Sequence, residues 1–170
     1  MTVDSDPARK AEETLKQDPL GDQELTFLLG TAFQVVLAEF VRRLNAAGYS
    51  ELRPVHGMIF QILAGPGATS TELAERLGVT KQAAGQMVAE LEKRGYVRRK
   101  MHPDGGRRRL IVLTDKALGH LTVAGHILHD LEAELAVQIN DTNLATLRAE
   151  LSRVVHAMVG DAIPPLRPIW

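Results

Sequence analysis

Apolar residues Leu25, Leu28, Leu29, Ala32, Phe33, Val36, Leu37, Phe40, Val41 and Leu44 recur at three- and four-residue spacing, which predicts a first helix ending at Gly48. Phe27 and Val35 widen its apolar face, so two packing partners are expected. A second helix, Pro54 to about Leu63, has proline in its first turn and stops before Gly65-Pro66-Gly67. Thr69 and Glu72 have capping-box spacing ahead of Leu73, Ala74 and Leu77, and Gly78 should end this short third helix. Thr80 can cap a fourth, Lys81 to Arg94, which would bury Ala84, Met87, Val88 and Leu91 and end at Gly95. Two helices joined across Gly78-Val79 make a helix-turn-helix.

The pattern then becomes β-branched and basic. Tyr96 to Met101 and Arg107 to Leu113 read as strands around the turn His102-Pro103-Asp104-Gly105-Gly106. Thr114 can cap a long helix, Asp115 to about Ile139, with the stripe Leu118, Leu121, Ala124, Gly125, Leu128, Leu131 and Leu135. After Asn140-Asp141 another helix is expected from Thr142 to Val159, carrying Leu144, Leu147, Leu151, Val154 and Val155. The tail over 161–170 holds three prolines and cannot be helical. Residues 1–22 show no sustained apolar period and read as a flexible extension. The expected fold is mainly α with a small β-hairpin wing: a winged helix-turn-helix over 52–114 between helices at 25–48 and 115–160.

Composition narrows the chemistry. With 170 residues, 45% of them apolar, the chain can bury a core in one or two compact units. It has no cysteine, which excludes disulfides, thiolate zinc sites and thiol nucleophiles. The net charge of −1 hides a local block: Lys81 to Arg109 holds nine bases against three acids, +6, so the rest carries −7. One face is thereby offered to a polyanion, and nucleic acid becomes the leading partner. The polar start of the chain argues against export through a signal peptide. Thr26, Thr31, Gln34, Glu39, Arg42 and Arg43 interrupt the most apolar segment and make it read as too polar for a bilayer span. A cytoplasmic protein without a membrane partner is expected.

Each part of the winged helix has a task on DNA. Lys81, Gln82, Ala83, Gly85 and Gln86 lie on the solvent side of the fourth helix's first two turns, the part that enters a major groove in such motifs. Gln82 and Gln86 can pair with adenine N6 and N7, Lys81 can donate to guanine or phosphate, and Thr80 caps the helix and touches phosphate. Gly85 would let the backbone approach the groove. In the wing, Arg107, Arg108 and Arg109 follow the turn, and alternation points one or two of them at DNA. A tip arginine suits a narrow minor groove, while Arg98, Arg99 and Lys100 serve phosphates. A charge run is usually just a solvated face, but this one falls where a winged helix needs it.

The stretch STELAERLGVTKQAAGQMVAELEKRGYVRRKMHPDGGRRRLIVLT, Ser70 to Thr114, resembles the MarR (multiple antibiotic resistance regulator) family of transcription factors, and the likeness extends over about Leu25 to Val159. Leu73 to Val79 matches the family's first motif helix, Leu91 to Val97 the recognition-helix exit and Leu113-Thr114 the wing exit. The resemblance implies a homodimer built from the first and last helices, a repressor on a palindromic operator, and release by a small-molecule effector between dimer body and winged helix. Phe33, His56 and Phe60 are candidate effector walls, and Arg107 is the wing arginine carried over from the family. The sequence departs from the pattern in having Gly105-Gly106 between Asp104 and Arg107, and Ala83 and Gly85 where hydroxyl residues are common.

His126, His129 and Asp130 share one helical face but lie opposite the apolar stripe and read as solvated, so no metal is expected. No cofactor and no enzymatic motif is found: there is no Walker loop, GxSxG elbow or HExxH. The alternative reading is a winged-helix protein-interaction module that does not bind DNA.

Overall fold

The structure is a computed structural model that describes residues 18–102, 105 and 108–164. Its elements are α1 (Leu25–Ala46), α2 (Pro54–Leu63), α3 (Ser70–Leu77), α4 (Lys81–Lys93), β1 (Val97–Met101), β2 (Arg109–Leu113), α5 (Asp115–Ile139) and α6 (Asp141–Val159). The chain divides into two compact units between Val41 and Arg42, within α1.

In the first unit a turn at Asp18–Gln23 precedes α1, with the Leu20 N–H donating to Asp18 Oδ1 at 3.0 Å. Leu25, Phe27, Phe33 and Val35 are exposed on the helix. Six polar positions do not settle the membrane question: α1 is long and apolar enough, by length and composition alone, to cross a bilayer. A core helix of a soluble protein passes the same test, so length and composition alone do not place α1 in a bilayer.

The second unit is built on α2, α3 and α4. Ile59, Phe60 and Leu63 of α2, Leu73 and Leu77 of α3, and Val88 and Leu91 of α4 form one core with Tyr96, Val97, Ile111 and Ala117. Burying a side chain of this size contributes about 1.5–3 kcal/mol. Caps set the helix ends. Thr69 Oγ1 accepts the Glu72 N–H at 3.3 Å, and Glu72 Oε2 accepts the Thr69 N–H at 2.7 Å. The bond from the Thr69 backbone, with one from its hydroxyl, holds the Glu72 carboxyl below its ordinary range. Gly78 ends α3 at φ +68°, and Thr80 accepts the Ala83 N–H at 3.1 Å to begin α4.

Strands β1 and β2 pair antiparallel with Val97 opposite Leu113 and Met101 opposite Arg109. They are shorter than expected at the edges, because Tyr96 still belongs to the helix exit, where its N–H bonds Leu91 O. Pro103, Asp104, Gly106 and Arg107 lie outside the described residues. Ala68 adds a one-residue bridge to Ile111 by two backbone hydrogen bonds of 3.1 and 2.8 Å. The hairpin is thus fastened to the segment before α3.

Thr114 precedes α5 but does not cap it with its side chain. Its hydroxyl donates to Gly95 O at 2.7 Å, which stitches the hairpin base to the end of α4. Ala117, His120, Ala124 and Leu131 form the buried side of α5, while Leu118, Leu128 and Leu135 are exposed. Asn140, at φ +61°, accepts the Asn143 N–H at 2.9 Å and starts α6 one residue earlier than expected. No residue of α6 is buried, so its apolar stripe faces outward. Arg43, in the last turn of α1 and inside this unit, makes a two-pronged bond of 2.8 and 2.6 Å to Glu134 of α5.

Candidate nucleic-acid interface

Helix α4 is apolar on one side only: Ala84, Val88 and Leu91 are fully buried, while Thr80, Lys81, Gln82 and Gln86 are exposed. Ala83 and Gly85 lie between them, half-buried, and a Cβ at Gly85 would meet nothing within 4 Å among the described residues. Two amide side chains one turn apart and a lysine thus stand on a ridge with short neighbours. On the hairpin Arg98, Arg99, Lys100, Arg108 and Arg109 are all exposed. The register puts Arg98 and Lys100 on one face with Val112 and Leu110, and Arg99 on the other with Ile111. Arg99 Nε donates to Glu92 Oε2 of α4 at 3.0 Å, a pairing the sequence reading missed when it assigned Arg99 to phosphate. The candidate residues Asp104 and Arg107 lie outside the described residues.

A second network gathers at the α1–α2 connection. Glu51 Oε1 accepts the Tyr96 hydroxyl at 2.6 Å and lies 3.7 Å from Lys116 Nζ. The hydrogen bond from Tyr96 holds the Glu51 carboxyl below its ordinary range, and desolvation with that same bond pushes the Tyr96 hydroxyl up. Lys116 also sits 4.1 Å over the Tyr96 ring and donates to Arg94 O. Arg94 donates to Glu51 O and pairs with Glu90 at 2.7 Å. Glu90 also binds Arg53 Nη2 at 2.7 Å. These residues are scattered in sequence and no local pattern announces them.

The candidate effector walls differ in burial. Phe33 is exposed on α1 in the first unit; His56 and Phe60 are fully buried in the second. Phe60 stacks on Tyr96 at 5.5 Å and meets the edge of His120 at 5.3 Å, and Tyr49 meets His120 at 4.7 Å. His120, which adds to no metal-ligand pattern in the sequence, is buried with no hydrogen-bond partner at Nδ1 among the described residues, and burial lowers its pKa. His126, His129 and Asp130 are exposed, and among the described residues no group of three His, Cys, Asp or Glu is placed to hold a metal ion.

His56 occupies the third position of α2, where a glutamate or glutamine would complete a capping box. Its Nδ1 accepts the Arg53 N–H at 3.2 Å, which requires an unprotonated nitrogen. Desolvation, reinforced by Arg53, lowers its pKa from 6.5 to about 4. The folded chain therefore holds fewer protons than the unfolded one between those values, and stability is full above pH 6.5 and falls as pH drops toward 4. His56→Gln keeps an acceptor at the cap without the titration. Urea midpoints at pH 7 and pH 5 should differ less in this variant than in the parent; an unchanged pH dependence would exclude His56 as its source.

The MarR family model matches residues 52–108, which span α2 through the hairpin. The match covers the winged helix of this chain, which is similar to that of the MarR family. The MarR fold also recurs in solved structures. The transcriptional repressor CouR, bound to a 23-mer DNA duplex, is 26% identical with a TM-score of 0.63 over 80% of this chain and 95% of its own. A MarR family protein of Mycobacterium tuberculosis in complex with salicylic acid is 23% identical, with a TM-score of 0.59 over 78% of this chain and 97% of its own. A MepR variant of S. aureus is 16% identical, with a TM-score of 0.67 over 80% and 99%. No curated protein matches the chain in sequence. MarR proteins are transcription regulators, and the chain has their fold: mostly helical, with a two-stranded antiparallel wing.

Proposed function

We propose that this chain is a cytoplasmic, homodimeric, sequence-specific DNA-binding regulator, a repressor on a palindromic operator that a small-molecule effector releases. The observation that carries the reading is the exposed row Lys81, Gln82 and Gln86 on α4 beside an exposed basic hairpin. Gln82 and Gln86 read adenine edges in the major groove, Lys81 reads guanine or holds phosphate, and Thr80 touches phosphate at the helix start. Arg98, Lys100 and Arg108 supply phosphate contacts with Arg109 beside them, Arg107 reaches the minor groove, and Asp104 belongs to the same wing.

Dimerisation is supported by the apolar residues that α5 and α6 leave exposed, Leu118, Leu128, Leu147, Leu151, Val154 and Val155 among them. Exposed apolar faces of that extent mark an association surface. A symmetric dimer presents two recognition helices, and reading successive major grooves places half-sites one turn apart, ~34–36 Å. Binding of a small molecule is supported by the salicylic acid complex of the mycobacterial relative. Phe33, His56 and Phe60 are the proposed walls, with the two buried rings becoming accessible only if the packing around them opens. Selection of bound duplexes from a random pool tests the proposal, and an enriched inverted repeat is the expected outcome.

A further inference from the structure

Glu90 and Glu92 are two residues apart on α4, which places them roughly 200° apart around the helix axis. They leave opposite flanks and are tied to different elements. Glu92 bonds Arg99 of the wing strand β1 at 3.0 Å. Glu90 spends both oxygens on the other side, Oε2 on Arg53 at the start of α2 and Oε1 on Arg94, each at 2.7 Å, with His56 Nε2 3.8 Å from Oε2. Arg53 in turn offers its backbone N–H to His56, so the carboxylate reaches the first turn of α2 directly and through the guanidinium. Stability alone is a weak reason for such pairs: Glu90 and Arg53 are 32% and 59% exposed, and pairs of that kind contribute about 0–1 kcal/mol.

Their geometry has a stronger consequence. Gln82, Gln86 and Glu90 follow one another at four-residue steps along one stripe of α4. Side chains on a helix end ~5–6 Å from its axis, so a roll of ~10° displaces an amide tip by ~1 Å. That is enough to spoil a bidentate contact to a base, which tolerates only a few tenths of an ångström. The buried row Ala84, Val88 and Leu91 is apolar and holds the helix against its neighbours without directional bonds. Ties on the two flanks resist roll in both senses.

We propose that Glu90 is a positioning residue for base readout: held by Arg53 and Arg94, it fixes the roll of α4, with Glu92–Arg99 as the opposing tie. The inference rests on the DNA-binding reading above and adds the determinant of its specificity. It also makes a prediction opposite to simple electrostatics. Removing an acid from a DNA-binding protein should strengthen its hold on a polyanion; removing this one weakens binding at the correct site.

The experiment compares full-length wild type, Glu90→Gln, Arg53→Gln and the double variant on the selected operator and on a scrambled duplex of equal length, alongside thermal unfolding. The expected result is a ~10-fold loss on the operator for Glu90→Gln, with scrambled-duplex affinity equal or higher, an unfolding midpoint within a few degrees of wild type, and little further loss in the double variant. Equal operator affinity in Glu90→Gln would overturn the inference. So would parallel losses on both duplexes, or independent additive losses from the two substitutions. Wild-type protein that retains no duplex at all would instead overturn the DNA reading, and this inference with it.

Discussion

Glutamine at Arg98, Lys100 and Arg108 together is expected to flatten the salt dependence of DNA binding and to lower affinity roughly a thousandfold at physiological ionic strength. The three side chains are exposed on the hairpin, away from the Glu92 pair that holds Arg99. Each phosphate neutralised on duplex DNA contributes ~0.9 to the slope of log K against log salt. Three contacts per protomer, doubled by symmetry, give a slope shallower by ~5. Glutamine retains length and hydrogen bonding, so the loss isolates charge. Because phosphates carry no sequence information, operator and scrambled duplex should weaken together. Fluorescence anisotropy at a series of salt concentrations measures both; an unaltered slope would remove the hairpin from the interface.

Alanine at Gly67 is expected to cost about 3 kcal/mol or more of folding stability. Its φ is +93°, and a Cβ there would lie 2.4 Å from Ile111 O and 2.8 Å from Val112 Cγ1. Holding a residue other than glycine in that region costs ~1–3 kcal/mol by itself. The clash comes in addition, against a backbone carbonyl that accepts the Ala68 N–H and so cannot move without breaking the bridge to the hairpin. Gly48 supplies the control, with the same φ of +93° and, among the described residues, nothing within 4 Å of its would-be Cβ. Gly48→Ala should show the conformational cost alone. Urea unfolding should give a much lower midpoint for the Gly67 variant at a similar slope, and equal midpoints for the two variants would mean that the close approach contributes nothing.

What the sequence made legible was local. Helices α3 and α4 could be placed because Thr69, Glu72, Gly78 and Thr80 act within a turn of themselves. The solvent row Lys81, Gln82 and Gln86 followed from the period of its buried neighbours. Contacts between distant segments were not legible: Ala68 with Ile111, Glu51 with Tyr96, Arg53 with Glu90. Nothing in a charge at position 51 or 90 says which of many partners it will meet. The burial of His120 was not legible for a related reason, since a histidine within an apolar stripe counts as polar although it completes the buried side of α5. Thr114 shows the reverse error, where the right residue stands before a helix but its hydroxyl donates to the carbonyls of Gly95 and Tyr96 at the exit of α4. The stripe on α6 was read correctly as apolar, yet periodicity says only that a face exists and not what covers it.

Sequence-specific recognition by a symmetric pair of recognition helices is the proposed task of this chain. Selection of duplexes from a random pool by the purified full-length chain tests it most directly, with the bound fraction sequenced over successive rounds. The predicted result is an enriched inverted repeat with half-site centres ~10–10.5 base pairs apart, adenine-bearing at positions that relax when Gln82 or Gln86 becomes alanine. A pool that stays random after repeated rounds, with dimeric protein and no effector present, would contradict the claim and leave the winged helix as a surface for protein partners.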